Sequence, residues 1–439
     1  MTQADGFWNG KTILIGAQML FVAFGAMVLM PLLTGLDPSV ALFTAGVGTL
    51  LFQWITRRSV PVFLASSFVF VAPISHGIQQ WGVAATMGAL FCTAIVYVVL
   101  GALVKWRGPD FLHRLMPPVV TGPIIMVIGL SLAPTAVNFA MGMSGNGKAQ
   151  LFPYGEALLV SMVAMLITML VATLGRGLFR LLPILCGVVS GYLVALLLGM
   201  VDFSRVEQAA WLAMPEFVAP SFQWQAILFM IPVALAPAIE HVGDVLAISS
   251  VTGKDYIRRP GLHRTLTGDG VASMAAALFG GPPNTTYSEV TGAVMLTRVF
   301  NPRVMTWTAL FAISLAFIGK FGWLLQSIPT PVMGGILILM FGSIASVGMS
   351  TLIKAGVDLN AQRNLVIVAV TLIFGIGGMV MGNGDFTLQG ISLCGLVAVA
   401  LNQILPAATP IMDDLGEERA YVDDILEHTS SKGGVKNKD

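Results

Sequence analysis

The stretch AILFMIPVALAPAIEHVGD, residues 226–244, is apolar from Ala226 to Ile239 and then carries Glu240, His241 and Asp244. A carboxylate at bilayer depth is costly, so an acid in such a run marks a path or a binding site rather than a lipid-facing surface. A second acid, Glu289, follows the broken segment GGPPNTTYSEVTG, residues 280–292. Two separated stretches therefore each bring a carboxylate to depth, the pattern expected of a transporter.

Composition agrees with a membrane setting. Of the 439 residues 56% are hydrophobic and 10% charged, and mean hydropathy is +0.84, against roughly 25% charged in an average soluble domain. The apolar runs are about twenty residues long, which suits helices rather than the ten-residue alternating strands of a barrel. Hydropathy places helices near 13–32, 40–56, 62–75, 84–105, 117–133, 154–174, 180–201, 226–248, 267–279, 285–300, 304–325, 330–349, 364–382 and 389–408. The expected class is an all-α polytopic membrane protein of 14 segments.

An even number of segments puts both termini on one side. Lys148, Arg205 and Lys320 fall in loops on the other side, and the remaining 20 of 23 Lys and Arg lie on the terminal side, which the positive-inside rule makes cytoplasmic. The eight tryptophans (8, 54, 81, 106, 211, 224, 307 and 323) sit at expected span ends or in loops, as an interfacial belt requires. The first apolar run is long and lacks a cleavage site after a short core, so it reads as a retained helix and not a signal peptide. Cys92, Cys186 and Cys394 fall inside spans and give neither a disulfide framework nor a metal cluster. No basic stripe suited to nucleic acid is present.

An internal repeat sets the organisation. MPPVVTGPIIMVIGLSLA, residues 116–133, resembles IPTPVMGGILILMFGSIA, residues 328–345, with Pro118 matching Pro331, Val119 Val332, Gly122 Gly335 and Gly129 Gly342, an offset of 213 residues. Cys186-Gly187 and Cys394-Gly395 match more weakly. The fifth segment then corresponds to the twelfth, and because seven is odd the halves are inverted. The expected divisions are 1–205 and 206–412, each a repeat of seven, with 413–439 as a short cytoplasmic tail. Inverted repeats place a substrate near the midplane, between discontinuous helices whose N-terminal amides face it. The third and tenth segments are the candidates. RRSVP, residues 57–61, leads into FLASSFVFVAPI, where Ser66 and Ser67 interrupt a stretch too short for a full crossing. Pro282 and Pro283 bar a regular helix in the tenth, and Ser288 is positioned to cap one beginning at Glu289.

Glu240 and Asp244 stand at i and i+4, on one helical face, with His241 turned aside. Carboxyl groups this close tend to share a proton, a plausible coupling element. Basic residues cluster at span ends and leave few partners at depth. Asp269, in TLTGDGVASM, opens the ninth span, where capping and proton coupling are both open readings. His241, beside a glutamate, reads as a hydrogen-bonded structural residue. Gly292 reads as a close-packing residue, and Thr297-Arg298 as the cytoplasmic boundary.

At these residues the chain resembles the nucleobase/ascorbate transporter family, and within it the bacterial uracil permeases and uracil-xanthine permeases. The resemblance spans nearly the whole chain. Its most specific parts are FGAMVLMPLL (24–33), ASSFVF (65–70), MPPVVTG (116–122), EHVG (240–243), PGLHR (260–264) and PNTTYSEVTGAVMLTRVF (283–300). The family signature, Gln, Glu or Pro followed by Asn-x-Gly-x-x-x-x-Thr-Arg, stands here as Glu289-Val-Thr-Gly292 and Thr297-Arg298. The resemblance implies a seven-plus-seven inverted-repeat fold with core and gate domains, a homodimer, and proton-driven nucleobase uptake across the inner membrane. No cofactor is expected, and sodium stays open as the coupling ion in place of the proton. It matches Glu240 and Glu289 to carboxylates that hold the ring N–H groups of the base. It matches Phe68 and Tyr287 to the pocket wall, and Ser67, the amides near Phe68 and Ser288 to the ring carbonyls. The resemblance also marks Glu289 as proton-linked, and with Asp244, Glu240 and Asp269 from the reading above it completes the expected proton-coupling set.

Some positions depart from the family. Met19 follows Gln18 where Gln-His is common, Val290 replaces the signature asparagine, and Asp244 stands where uracil permeases carry histidine. Leu337 and Phe341 occupy positions that are more polar in the best-known uracil permeases. Asp244 is similar to the purine branch and Glu289 to the uracil branch, so a pyrimidine such as uracil and a purine such as xanthine are both carried forward. A related anion exchanger would place a base, not acids, between the half-helices. A respiratory proton-pumping subunit would need buried lysines in several spans. A non-transporting nucleobase receptor would bind without counterflow. An enzyme would need a nucleophile and base that the sequence does not bring together.

Overall fold

The apolar runs form helices in this computed structural model, which describes residues 9–108, 110–177, 179–383 and 386–406. Trp8 and the tail expected at 413–439 lie outside the described residues. Helix α1 (Gly10–Thr34) opens at Asn9, whose side chain accepts from the Lys11 amide, and closes at Gly35 in the left-handed conformation. Helix α2 (Pro38–Ile55) opens at Asp37, whose carboxylate accepts from the Ser39 amide, with proline in the first turn.

The chain then leaves helical geometry. Strand β1 (Leu64–Ser66) and one 3₁₀ turn, Phe68–Phe70, lead into α3 (Val71–Arg107). Gly82 breaks α3 with φ 80° and ψ 171°, a conformation open to glycine, so the expected third and fourth segments run into each other through a kink. Short α4 (Asp110–Leu115) precedes α5 (Pro118–Ser131), α6 (Ala133–Ala140), α7 (Tyr154–Leu174), α8 (Pro183–Leu197) and α9 (Ser204–Gln208). Helix α10 (Trp224–Met230) passes through a 3₁₀ turn at Pro232 into α11 (Leu235–Thr252), and α12 (Leu262–Leu278) follows. Strand β2 (Asn284–Thr286) then leads into α13 (Ser288–Thr297). The rest is α14 (Arg303–Ala316), α15 (Gly319–Gln326), α16 (Thr330–Lys354), α17 (Gln362–Ile376), the hairpin β3 (Val380–Asn383) and β4 (Phe386–Gln389), and α18 (Gly390–Ile404).

Among the described residues seven helices are long and apolar enough to cross a membrane, and four apolar helices are shorter. Several sequence boundaries shift. The ninth run begins at Leu262, not 267, because HRTLT continues the helix before Gly268. The eleventh is split at Phe317–Ile318 into α14 and α15. The thirteenth stops at Ile376, where Gly377 and Gly378 end the helix ahead of β3.

The helices pack in two sets. In one, α3 lies on α12 and α10, and α14 on α2 and α1; in the other, α16 lies on α5, α6 and α7, and α7 on α8. Helices α5 and α16 run antiparallel and meet at glycine. A Cβ on Gly129 would strike the Phe341 carbonyl, and one on Gly348 would lie 2.6 Å from the Gly122 carbonyl. Small residues let the two backbones approach at this depth.

Lys11, Arg57, Arg58, Lys254, Arg264, Arg298 and Arg303 all line one depression of about 2140 Å³. The Arg205 guanidinium stacks over Trp323 at 5.2 Å and the Lys320 ammonium over Trp211 at 5.6 Å.

Candidate functional site

The two broken stretches meet. Strands β1 and β2 pair antiparallel with Leu64 opposite Thr286, Ala65 opposite Thr285 and Ser66 opposite Asn284. The pairing extends at both ends, where the Ser67 amide donates to the Pro283 carbonyl at 2.9 Å and the Tyr287 amide to the Phe63 carbonyl at 3.3 Å. Extended backbone at membrane depth is tolerated only when protein satisfies its polar groups. Here neighbouring helices do so. Thr49 of α2 accepts from the Leu64 amide at 2.9 Å and donates to the Leu64 carbonyl at 3.3 Å. Ser273 of α12 treats Asn284 the same way, at 3.1 and 2.9 Å. The Asn284 amide side chain donates to the Thr44 carbonyl at 3.0 Å, and the Tyr287 hydroxyl to the Ser66 carbonyl at 2.8 Å.

From this crossing two helices start. The Phe68–Phe70 turn with α3 leaves one way and α13 the other, and neither start has a side-chain cap. First-turn amides have no intrahelical acceptor, so both ends offer hydrogen-bond donors and a positive dipole end. Ser66 and Ser67 are buried, and their hydroxyls have no hydrogen-bond partner among the described residues. Phe68 is half-buried, with its ring 6.4 Å from that of Phe341 in an edge-on arrangement.

Helix α11 supplies the acids. Glu240 is half-buried, and its buried Oε2 has no hydrogen-bond partner among the described residues. Asp244, one turn on, is buried and accepts from the Thr286 hydroxyl at 2.9 Å. His241 is fully buried, and its Nδ1 lies 2.7 Å from Asp269 Oδ2. Glu240 and Asp244 stand one turn apart on α11, and Asp269 of α12 is tied to the same helix through His241. Glu289, in the first turn of α13, is exposed and lines a cavity of about 170 Å³ with Gly292, Ala293 and Arg180.

Several expectations need correcting. Asp269 does not cap α12; it sits two turns inside that helix, fully buried against His241. Helix α13 begins at Ser288 with Tyr287 before it, so the cap expected from Ser288 is replaced by a start without one; the Ser288 side chain lies outside the description. Gly292 is not a close-packing residue, since a Cβ there would meet nothing within 4 Å. It leaves space beside Glu289. Among the acids at depth, Asp269 finds its partner in a histidine rather than in a Lys or Arg.

Of the departing positions, Met19, Val290 and Leu337 are fully buried and Phe341 nearly so. Sequence reasoning missed Thr286, Thr49 and Ser273 as organisers of the site. Threonines inside apolar runs carry little signal, because most bond back to their own helix, as Thr44 and Thr93 do here. For the described residues, no group of three His, Cys, Asp or Glu could hold a metal.

Comparison with known proteins places this arrangement. A probable uracil permease of Haemophilus influenzae is 56% identical over 398 residues, covering 91% of this chain and 95% of that one. A uracil permease of Escherichia coli is 36% identical over 394 residues, covering 90% and 91%. The transmembrane domain of a cyanobacterium bicarbonate transporter, BicA, has a similar fold with TM-score 0.64 over 91% of this chain and 98% of that one, at 17% identity. A family profile described as a permease family matches residues 10–384. With two broken helices crossing beside buried acids, and with relatives of this closeness along nine-tenths of its length, the chain belongs to that permease family, the nucleobase/ascorbate transporters.

Proposed function

We propose that the protein takes up uracil, or a close pyrimidine, across the inner membrane together with protons. The observation that carries this is the Glu240 carboxylate, with an unpartnered buried oxygen, beside the two uncapped helix starts at the β1–β2 crossing. Uracil alternates N–H donors with C=O acceptors around its ring. Glu240 and Glu289 accept from the N–H groups, and the first-turn amides near Phe68 and Ser288, with Ser67, donate to the carbonyls. Phe68 and Tyr287 form the wall. A site built to hydrogen-bond every edge rejects analogues that leave buried groups unpaired. The relatives named uracil permease support the same substrate.

Asp244, Glu240, Glu289 and Asp269 hold the coupled proton in this reading, since a cluster of carboxyl groups gains or loses protons as a unit. The two packed sets of helices act as core and gate, arranged as two inverted repeats of seven segments, with both termini cytoplasmic and two copies forming a dimer. The antiparallel packing of α5 on α16 supports the inversion.

The test is uptake of radiolabelled uracil and xanthine into proteoliposomes of purified protein under an inward proton gradient, an inward sodium gradient, or neither. Uracil uptake stimulated by the proton gradient is expected. Xanthine uptake alone would mean that Asp244 outweighs Glu289 in selecting the base, stimulation by sodium alone would replace the coupling ion, and saturable binding without uptake would make the protein a receptor.

A further inference from the structure

Three segments that carry the candidate site end at one place. The depression of about 2140 Å³ is lined by the turn after α2, which leads into β1, by the loop after α11, and by the link from α13 to α14. Nine of the chain's 23 Lys and Arg line it, against one acid, Asp255. That acid is already paired, with its Oδ2 3.4 Å from Arg258 Nε. Arg57, Arg58 and Arg298 have no carboxylate within 4 Å among the described residues. Like charges gathered without acids repel one another, and a bound anion relieves that repulsion.

The backbone points the same way. Among the described residues, the non-glycine residues at positive φ are Arg57 at 57°, Arg58 at 52° and Arg298 at 53°. Helices commonly end in this left-handed conformation on glycine, which has no Cβ to clash. Arginine stands at all three positions here, so charge is kept where glycine would be easier, as strain is kept at functional sites. The turns are fixed from inside. Gln53, 2% exposed, donates to the Pro302 carbonyl at 2.9 Å and accepts from the Thr306 hydroxyl at 2.7 Å, tying the end of α2 to the α13–α14 link. The Ser249 hydroxyl accepts from the Tyr256 amide at 3.1 Å and holds the third loop. Tyr256 lines the depression with a buried hydroxyl that has no hydrogen-bond partner among the described residues. Thr252, four residues earlier, turns its own hydroxyl to the Ile248 carbonyl at 2.9 Å.

We propose that this depression binds a multiply charged phosphate ester, the chemistry shared by a soluble nucleotide and an anionic lipid headgroup. Guanidinium groups take phosphate oxygens in pairs, and the volume exceeds the roughly 300–1,000 Å³ of ordinary small-molecule pockets, so a nucleotide fits. A neutral base has no charge to offer here, which separates this site from the one at the strand crossing. An anion that bridges the three segments holds the ends of β1, α11 and α13 in one arrangement and so slows uptake. That consequence rests on the transport reading above, whereas the binding does not.

Glycine accepts positive φ, so Arg57→Gly, Arg58→Gly and Arg298→Gly remove the guanidinium and should keep the wild-type unfolding midpoint. In lipid-free detergent at fixed ionic strength, UTP and ATP are expected to raise that midpoint most, UMP less and inorganic phosphate least, because the attraction grows with ligand charge. Calorimetric affinity for UTP should fall about tenfold in each single variant, the scale of one charge-assisted hydrogen bond, and about a hundredfold or more in the triple variant. A second arm compares nanodiscs of phosphatidylcholine with nanodiscs of phosphatidylglycerol. Stabilisation by nucleotide in detergent identifies a soluble ligand, and stabilisation confined to phosphatidylglycerol and lost in the triple variant identifies a headgroup. No stabilisation in either arm, or an equal response in the triple variant, would overturn the site. In proteoliposomes with UTP on both faces, uracil uptake should slow at least about threefold in wild type and not in the triple variant. Unchanged wild-type uptake with UTP bound would overturn the restraint on transport. Failure of the wild-type protein to carry uracil, with nucleotide binding retained, would sink the substrate reading and leave the anion site standing.

Discussion

Glu240 shows how much one side chain carries. Its unpartnered oxygen is the acceptor the proposed substrate needs, so Glu240→Gln, which keeps the shape and removes the charge, should weaken uracil binding by about ten- to a hundredfold, the worth of hydrogen bonds to a charged group. Calorimetric binding on purified protein measures this, and an unchanged affinity would remove Glu240 from the site. Glu289 opens on a cavity, so Glu289→Gln should leave folding intact while uptake weakens or loses its response to external pH. Wild-type uptake at every external pH would count against that role. Val290 behaves differently. Because it is fully buried, Val290→Asn should first lower the unfolding free energy, by about 1–3 kcal/mol for an amide buried without partners, before any change of preference among bases.

At the scale of elements, the two short strands depend on helices that clamp them. Thr49 and Ser273 each hold both backbone groups of one strand residue, Leu64 and Asn284. Thr49→Val leaves an amide and a carbonyl unsatisfied, as does Ser273→Ala, and each should cost about 1–3 kcal/mol. The double variant should lose more than the sum, since both clamps act on one strand pair. Thermal unfolding in detergent and uracil binding should fall together, because the strands aim the helix starts. Unchanged midpoints in both single variants would mean that the strand pair holds itself. The α5–α16 contact makes the complementary case: Gly129→Leu should lower the unfolding free energy by about 1–3 kcal/mol through overpacking, whereas Gly292→Ala, with nothing within 4 Å, should meet no clash.

For the whole molecule the decisive asymmetry is charge. Arg57 and Arg58 line the same basic depression as Lys11 near the N-terminus, while Lys148 lies in the loop between α6 and α7. With native cysteines replaced by serine, Lys148→Cys should react with an impermeant maleimide on intact cells and Arg58→Cys only after permeabilisation. The reverse pattern would invert the orientation. Sequence by itself determined the membrane class, the broken third and tenth stretches and the acids on α11, because hydropathy, proline and a buried charge act locally and leave their mark in the residues concerned. It did not place Asp269 two turns inside α12, name His241 as its partner, or give Thr286 to Asp244. Those contacts join residues 28 and 42 positions apart in the chain, and only the strand crossing and the packing of α11 against α12 bring them within bonding distance. A polar residue in an apolar run announces that it needs a partner, and tertiary structure alone decides which one it finds.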